Sequence, residues 1–189
     1  MVAEWQAQTA VIDPATMPLT RLANTAIDGV SPVIPAVQED IARYAASDLV
    51  CYRAGSPEGL VAAQNAAWDP VIAWSRATLG ARFVLSGGVM FVEQPPESVA
   101  RVRARVENES SPFRLAALHV MTTLTGSVLV ALMHGDGSLG LDEAWAAAHA
   151  DELFQESRWG TDLDATARRA ARFAEFAAAS RLWDLSGRD

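Results

Sequence analysis

The sequence has no lysine at all: its fifteen basic residues are every one arginine. That removes the phosphate-binding lysine a P-loop requires. Together with the many alanines, it reads as a coding bias towards GC-rich codons. Cysteine occurs once, as Cys51, so an internal disulfide is excluded and a reducing compartment is permitted. Histidine occurs three times, at 119, 134 and 149. No two are three or four residues apart, so no helical metal motif is present. Acid exceeds base by 23 to 15, for a net charge of −8, which argues against a nucleic-acid binder working by broad phosphate neutralisation. The opening Met1-Val2-Ala3-Glu4-Trp5-Gln6 has neither the basic segment nor the apolar core of a signal peptide. It reads as the tail of an amphipathic helix, as if the chain opens inside an element. No internal repeat, low-complexity tract or linker interrupts the chain.

What is present is enough for a core. Half of the 189 residues are apolar and 20% are charged, a balance that excludes disorder. A chain of this length can bury about 70% of the surface its unfolded form exposes. The length fits a single helical domain, 1–189, with a β-bearing portion over about 1–95 and a helical portion over about 96–189.

Helical punctuation dominates. Leu19, Leu22, Ala23, Ala26 and Ile27 share one face of a helix from Pro18 to Ile27, and Gly29, Pro32 and Pro35 break it. A second helix covers Ala36 to Ala46, and Leu49-Val50-Cys51-Tyr52 reads as a buried strand or an extended connector. Ser56-Pro57 and Asp69-Pro70 each place a cap before proline, which predicts two helices meeting near Trp68 or one kinked helix, stopped at Gly80. Residues Arg82 to Val92 form the best strand candidate, with Gly87-Gly88 suggesting a hairpin or sharp bend. A polar surface helix follows from Glu97 to Asn108. Ser111-Pro112 then opens an apolar stretch to Met133, predicted to be one central helix surrounded by others. Its Arg114, His119 and three threonines, without a flanking arginine cluster, argue against stable membrane insertion. Helices over Leu141–Arg158 and Asp162 to about Leu185 complete a mainly α, multi-helix bundle around a central apolar helix with a small β element.

Several strings invite a chemical reading. Gly135 to Gly140 fits G-x-G-x-x-G, but an apolar helical run precedes it where a dinucleotide loop needs a strand. A helix–helix turn explains the glycines. The loop also fails as an EF-hand, because the twelfth position from Asp136 is Ala147. His119 reads as a hydrogen-bonded core histidine, and His134 as a cation at a helix C-terminus. Cys51, flanked by Leu49-Val50, reads as an inert buried thiol. Asp151, Gln155 and Trp159 recur at helical spacing, with Glu152 and Glu156 beside them. Acids bordering a large aromatic make a binding surface for a basic, partly apolar partner; the competing reading is a solvated face with Trp159 turned inward. The six tryptophans read mostly as core anchors.

Six strings, taken in order, resemble one family. They are Ala3-Glu4-Trp5-Gln6-Ala7-Gln8; Met17-Pro18-Leu19-Thr20-Arg21-Leu22-Ala23-Asn24-Thr25-Ala26-Ile27-Asp28; Asp48-Leu49-Val50-Cys51-Tyr52-Arg53; Gln64 with Trp68-Asp69-Pro70; Leu124-Thr125-Gly126-Ser127; and Asp151-Glu152-Leu153-Phe154-Gln155 with Arg158-Trp159-Gly160. Their order and spacing resemble the assembly factors specific for the α subunit of the F1-ATPase, over essentially the whole chain. The resemblance implies a chaperone rather than an enzyme, without cofactor, metal or catalytic residue. Such a chaperone binds the free α subunit of the ATP synthase F1 sector and masks its β-facing surface until the catalytic head assembles. It implies a bacterial cytoplasmic setting, with the mitochondrial matrix for organellar relatives. It also implies a β-rich part upstream of the Glu4-Trp5 helix, which this chain lacks. The family's functional acid falls at Asp151 or Glu152, with Gln155 and Trp159 beside it, and Trp5 matches the family's early tryptophan. Two rival readings are an enzyme with a small-molecule pocket near Cys51, Tyr52 and Arg53, and a nucleotide-binding module at Gly135–Gly140.

The missing lysine and the missing strand before Gly135 predict no saturable heat in calorimetric titrations with ATP, ADP or NAD. A micromolar dissociation constant for any of the three would overturn the cofactor-free reading.

Overall fold

The computed structural model describes residues 1–88 and 90–187. Its elements run α1 (Val2–Gln6), α2 (Pro18–Asn24), α3 (Ile34–Ala42), β1 (Tyr52–Arg53), α4 (Glu58–Trp74), β2 (Ser86–Gly87) and α5 (Pro96–Glu107). They continue with α6 (Pro112–Thr125), α7 (Val128–Gly135), α8 (Leu141–Ala148), α9 (Ala150–Trp159) and α10 (Leu163–Ser186). The fold is mainly α, as the sequence implies. Its β element among the described residues is a parallel pair, Tyr52 opposite Ser86 and Arg53 opposite Gly87. Helix α6 is the hub: α10, α2, α3 and α7 all pack on it, and its Leu115, Leu118 and Met121 are fully buried. The two halves of the chain interleave, with α10 on α2, α3 on α5 and α4 on α9. No helix among the described residues is long and apolar enough to cross a membrane.

The apolar run from Pro112 to Met133 is two helices rather than the single one expected. Gly126 closes α6 at φ +67°, in the left-handed region, which other residues enter at a cost of about 1–2 kcal/mol. Ser127 then opens α7 by accepting a hydrogen bond from the Val130 N–H. The break is held from outside. The carboxylate of Asp48, wholly buried, accepts from the N–H groups of Val50 at 3.2 Å and Leu129 at 3.1 Å, and Leu49 N–H donates to the Gly126 carbonyl at 3.2 Å. A carboxylate at the first turn of α7 satisfies orphan donors and complements the helix dipole. Burial nevertheless pushes Asp48 up from its ordinary 3.8 to about 6, against the pull of its donors Ser127, Leu129, Val50 and Val128.

Other expectations hold or shift for local reasons. Residues Leu49–Cys51 form a 3₁₀ turn before β1. Asp69-Pro70 starts no new helix, for α4 runs through it. Ala66 and Pro70 both lie on the exposed side, where the carbonyl that proline leaves unbonded need not be buried without a partner. Gly80 ends the following π-helical turn at φ +67°. Of the expected strand over 82–92, Val89 lies outside the described residues; among the described ones Ser86 and Gly87 are paired, and their partner strand lies far back in the chain. The run from Leu141 to Arg158 breaks at His149, whose φ −120°, ψ 25° leaves helical geometry. Its Nδ1 bonds the Trp145 carbonyl at 2.9 Å. His119 is half-exposed rather than a core histidine and meets Asp40 at 2.9 Å. His134 bridges the Leu139 carbonyl and the Ser180 hydroxyl, each at 2.8 Å. The bundle is also pinned by indoles: Trp68 Nε1 donates to the Ala147 carbonyl, Trp74 Nε1 to Asp136 and Trp183 Nε1 to the Gly135 carbonyl.

Asp48 gives a pH test with a defined sign. A carboxyl that binds its proton more tightly folded than unfolded stabilises the fold at low pH. Its contribution, up to about 3 kcal/mol, is complete below about pH 3.8 and lost as the pH rises through about 6. Asp48→Asn removes that slope. Urea unfolding of both proteins from pH 4 to 7 is expected to show the parent losing up to about 3 kcal/mol relative to the variant as the pH rises through about 6; parallel profiles would show that folding does not raise the pKa of Asp48.

Candidate functional site

The site is assembled on α4. One stretch of this helix, from Gln64 to Asp69, bonds the segment around β1. Arg53 donates from Nε to the Val50 carbonyl and from Nη1 to both Asn65 and Asp69, all at 2.9 Å. Its guanidinium also lies over the Trp68 ring, 5.4 Å from the centroid. Buried Gln64 uses both ends of its amide: Oε1 accepts from Ala54 N–H and Nε2 donates to Asp151 Oδ1, each at 2.7 Å. A side chain of α4 thus ties the end of β1 to the first turn of α9.

Helix α9 starts where His149 ends α8, and its first turn carries Asp151 and Glu152, the acids that a helix N-terminus favours. Only Ala150 of α9 is fully buried. Phe154 packs so closely on the start of α4 that a Cβ on Gly59 would lie 3.0 Å from its ring. Between α9 and α10 runs a cleft of about 520 Å³. Asp151, Glu152, Gln155 and Trp159 all line it, so the structure brings these four predicted residues together. Trp159 is 84% exposed, which removes the reading that it packs inward. Glu156, on the same wall, is tied up: Arg169 grips it with two bonds of 2.6 and 2.7 Å and holds its carboxyl below the ordinary range.

Two further clefts continue this one. Asp151, Glu152 and His149 also line a cleft that reaches Gly126 and Leu49. Asp151, Gly126 and Leu49 in turn line another, of about 500 Å³, that reaches Tyr52, Arg53 and Gly88. The three make one groove from the β1–β2 corner to Trp159, with Asp151 in all of them. Trp5 stands apart from it. Its helix α1 is fixed by Glu4, whose carboxylate accepts from Leu19 N–H, Thr20 N–H and the Thr20 hydroxyl at 2.9, 2.8 and 2.6 Å. Burial opposes the charge on Glu4, and these donors hold its carboxyl below the ordinary range. Trp5 itself is 51% exposed. Two of the six tryptophans are therefore surface groups.

The rival chemistries find little support in the geometry. Tyr52 and Arg53 do line a cleft, but Cys51 is wholly buried, and burial, then the Asp48 charge, push its thiol up to about 12. Such a thiol is a poor nucleophile at neutral pH. The string Gly135–Gly140 follows helix α7 instead of a strand. Gly135 is required because a Cβ there would sit 2.9 Å from the Trp183 ring, and Glu143 accepts from the Gly140 N–H at 2.9 Å to cap α8. Sequence reasoning missed the positioning role of Gln64, whose signal was its place in a quoted string, and the pairing of Arg53 with Asp69. No spacing rule links residues 64 and 151.

The Gln64 link is testable. Gln64→Leu leaves the Ala54 N–H and one Asp151 oxygen without this partner and is expected to cost about 1–3 kcal/mol of stability. In a double-mutant cycle with Asp151→Ala, the two losses should couple by at least about 0.5 kcal/mol. Simple additivity in urea unfolding would show that the bond fixes nothing.

Comparison with known proteins follows the same lines. The family described as ATP12 chaperone protein matches residues 1–76. The structure of Atp12 from Paracoccus denitrificans superposes with a TM-score of 0.91 at 42% identity, covering 97% of this chain and 78% of that one. The Atu1473 protein of Agrobacterium tumefaciens gives a TM-score of 0.92 at 48% identity, over 96% of this chain and 68% of that one. An aspartate-to-lysine mutant of the Paracoccus protein superposes equally well, at 0.91. The resemblance carried by the six strings is thereby confirmed, and the chain belongs to the ATP12 chaperone family.

Proposed function

We propose that this chain is an assembly chaperone of the ATP synthase F1 sector. It binds the free α subunit and shields its β-facing surface until the catalytic head assembles. The observation that carries the reading is the α9 groove: two acids, Asp151 and Glu152, one of them fixed by Gln64, beside an aromatic, Trp159, that the fold leaves in solvent. An orphan subunit exposes an apolar interface made for another protein, and such a patch aggregates. Holding it requires apolar anchors and a charge that selects, and no bond need be made or broken. Asp151, Glu152, Gln155 and Trp159 supply these on one groove. Trp5 serves as a separate contact, since it is exposed on α1. The protein works in the bacterial cytoplasm, where F1 subunits are made; organellar relatives work in the matrix.

Glu152→Lys is the clean test, because Glu152 is exposed and lacks the Gln64 tie of Asp151. Its melting temperature should match the parent's, since exposed positions usually tolerate change within about 0.5 kcal/mol. Its suppression of α-subunit aggregation should weaken by about 2–5 kcal/mol in affinity if the acid meets a buried charge on the client. Asp151→Lys should lose the same protection and also some stability. The fold of the Paracoccus aspartate-to-lysine mutant, matched at TM-score 0.91, supports the view that this family accommodates such a reversal. Full protection by a Glu152→Lys protein that melts like the parent would reduce the acidic face to a solvated surface.

A further inference from the structure

The groove has a second apolar end. Its Trp159 end presents Trp159; Leu163, next to the lining residue Asp162 at the start of α10, is 82% exposed. Its other end reaches Gly88, where the connection between β2 and α5 begins. Just beyond, Met90 and Phe91 stand 75% and 69% exposed, and Val84 and Leu85, on the approach to β2, are also exposed. Four large apolar side chains are thus exposed within a few residues of Gly88, which lines this end of the groove.

The loop is braced, so this exposure is built in. Buried Gln94 closes its base, accepting from Val84 N–H at 2.8 Å and donating to the Val84 carbonyl at 2.9 Å. Ser98 does the same for Arg82, with two bonds of 2.8 Å. Gly88 N–H donates to the Arg53 carbonyl at 2.8 Å, and the Ser86 hydroxyl donates to the Met90 carbonyl at 3.0 Å. Arg53 is itself locked to α4, the helix that positions Asp151. The loop and the acid therefore belong to one frame.

Area decides what the loop is for. A stable protein–protein interface takes about 800 Å² from each partner. One large aromatic supplies about 150–250 Å², so Trp159 and its neighbour leave most of the requirement unmet. The Met90–Phe91 loop supplies a second aromatic and a methionine, whose flexible thioether adapts to irregular surfaces. Between the two ends lie Asp151 and Glu152 on α9, faced by Arg168 and Arg172 on α10, so the fitting occupant is a protein face with apolar ground at both sides and a mixed charged strip between, its basic group set against Asp151 and Glu152.

We infer that the exposed side chains of Val84, Leu85, Met90 and Phe91 form a second docking element, which seats Met90 and Phe91 on the apolar surface of the α subunit while α9 holds a basic group of the same client. The inference rests on the function proposed above and extends it to a bipartite site.

The experiment compares the parent with the double variant Met90→Ser/Phe91→Ser, using the isolated α subunit diluted from denaturant as client. Both side chains are exposed, so the variant should melt like the parent. It should need at least about tenfold more protein for equal protection, the loss of roughly one apolar anchor. A variant bearing the photo-crosslinker benzoylphenylalanine at position 91 should crosslink to the α subunit, which keeps the claim testable if the serine variant folds poorly. If the parent protects and the well-folded double variant protects equally, the loop is not a docking element and the function proposed above still stands. Should the parent itself give no protection, both readings fall. If the parent alone sediments as a dimer that the double variant loses, the loop is a self-association surface and the inference is overturned.

Discussion

A buried carboxylate at a helix break organises this protein. Asp48 bonds Val50 behind it and Leu129 across the core, and so fixes the junction where Gly126 ends α6 and Ser127 begins α7. Were α6 and α7 one straight helix, the segment from Leu49 to Arg53 would have no seat. With the break in place, Leu49 sits against Gly126, β1 emerges beside α4, and Arg53 locks to Asn65 and Asp69. Burying a charge is costly unless it is well bonded, and the rise of its pKa records that cost. The fold tolerates it because the alternative leaves several first-turn N–H groups of α7 buried without partners.

The groove follows from that junction. Its middle is walled by Leu49 and Gly126, the two sides of the break, and by Asp151. Its floor depends on α4, where Gln64 spends one end of its amide on Ala54 and the other on Asp151. The groove thus joins three stretches of chain, near 50, near 126 and near 151, that meet only in the folded state. Helix α9 contributes the charges while burying little of itself, and it leans on α4 through Phe154 and the Gln64 bond. An element that buries so little is drawn from the weaker end of a protein's local stability. That suits the function proposed above, in which the surface accepts a client and later releases it.

The polar interior ties helix ends and turns together. The indoles of Trp68, Trp74 and Trp183 each bond a helix end or turn. His134 and Ser180 meet at 2.8 Å, yet Ser180 is buried and His134 packs against Phe176, with the second ring nitrogen taken by Leu139. Cys51 is sealed in the core. These groups are engaged in structural bonds, while the side chains that line the α9–α10 cleft include the acids Asp151 and Glu152, the exposed Trp159, and Arg168 and Arg172 on the facing helix. That distribution is the one expected of a protein that recognises a surface.

What the sequence determined by itself was local. Ser111-Pro112 and Asp162 set helix starts, Gly80 set a stop, and apolar spacing set the helical class, because capping and periodicity depend on residues within a turn of one another. The acids and Trp159 were legible as one face for the same reason. The sequence could not say that Leu124-Thr125-Gly126-Ser127 is a break, since a glycine within an apolar run is also compatible with a continuous helix. The deciding partner, Asp48, lies about eighty residues earlier. Nor could it show how Ser86 and Gly87 are paired, because their partner strand is Tyr52–Arg53, and parallel pairing leaves no hairpin signature. Only the tertiary structure placed Gln64 against Asp151, put Trp5 on a separate surface and joined three clefts into one groove. These depend on distant side chains meeting across packed helices, and no periodicity along the chain encodes which of them will meet.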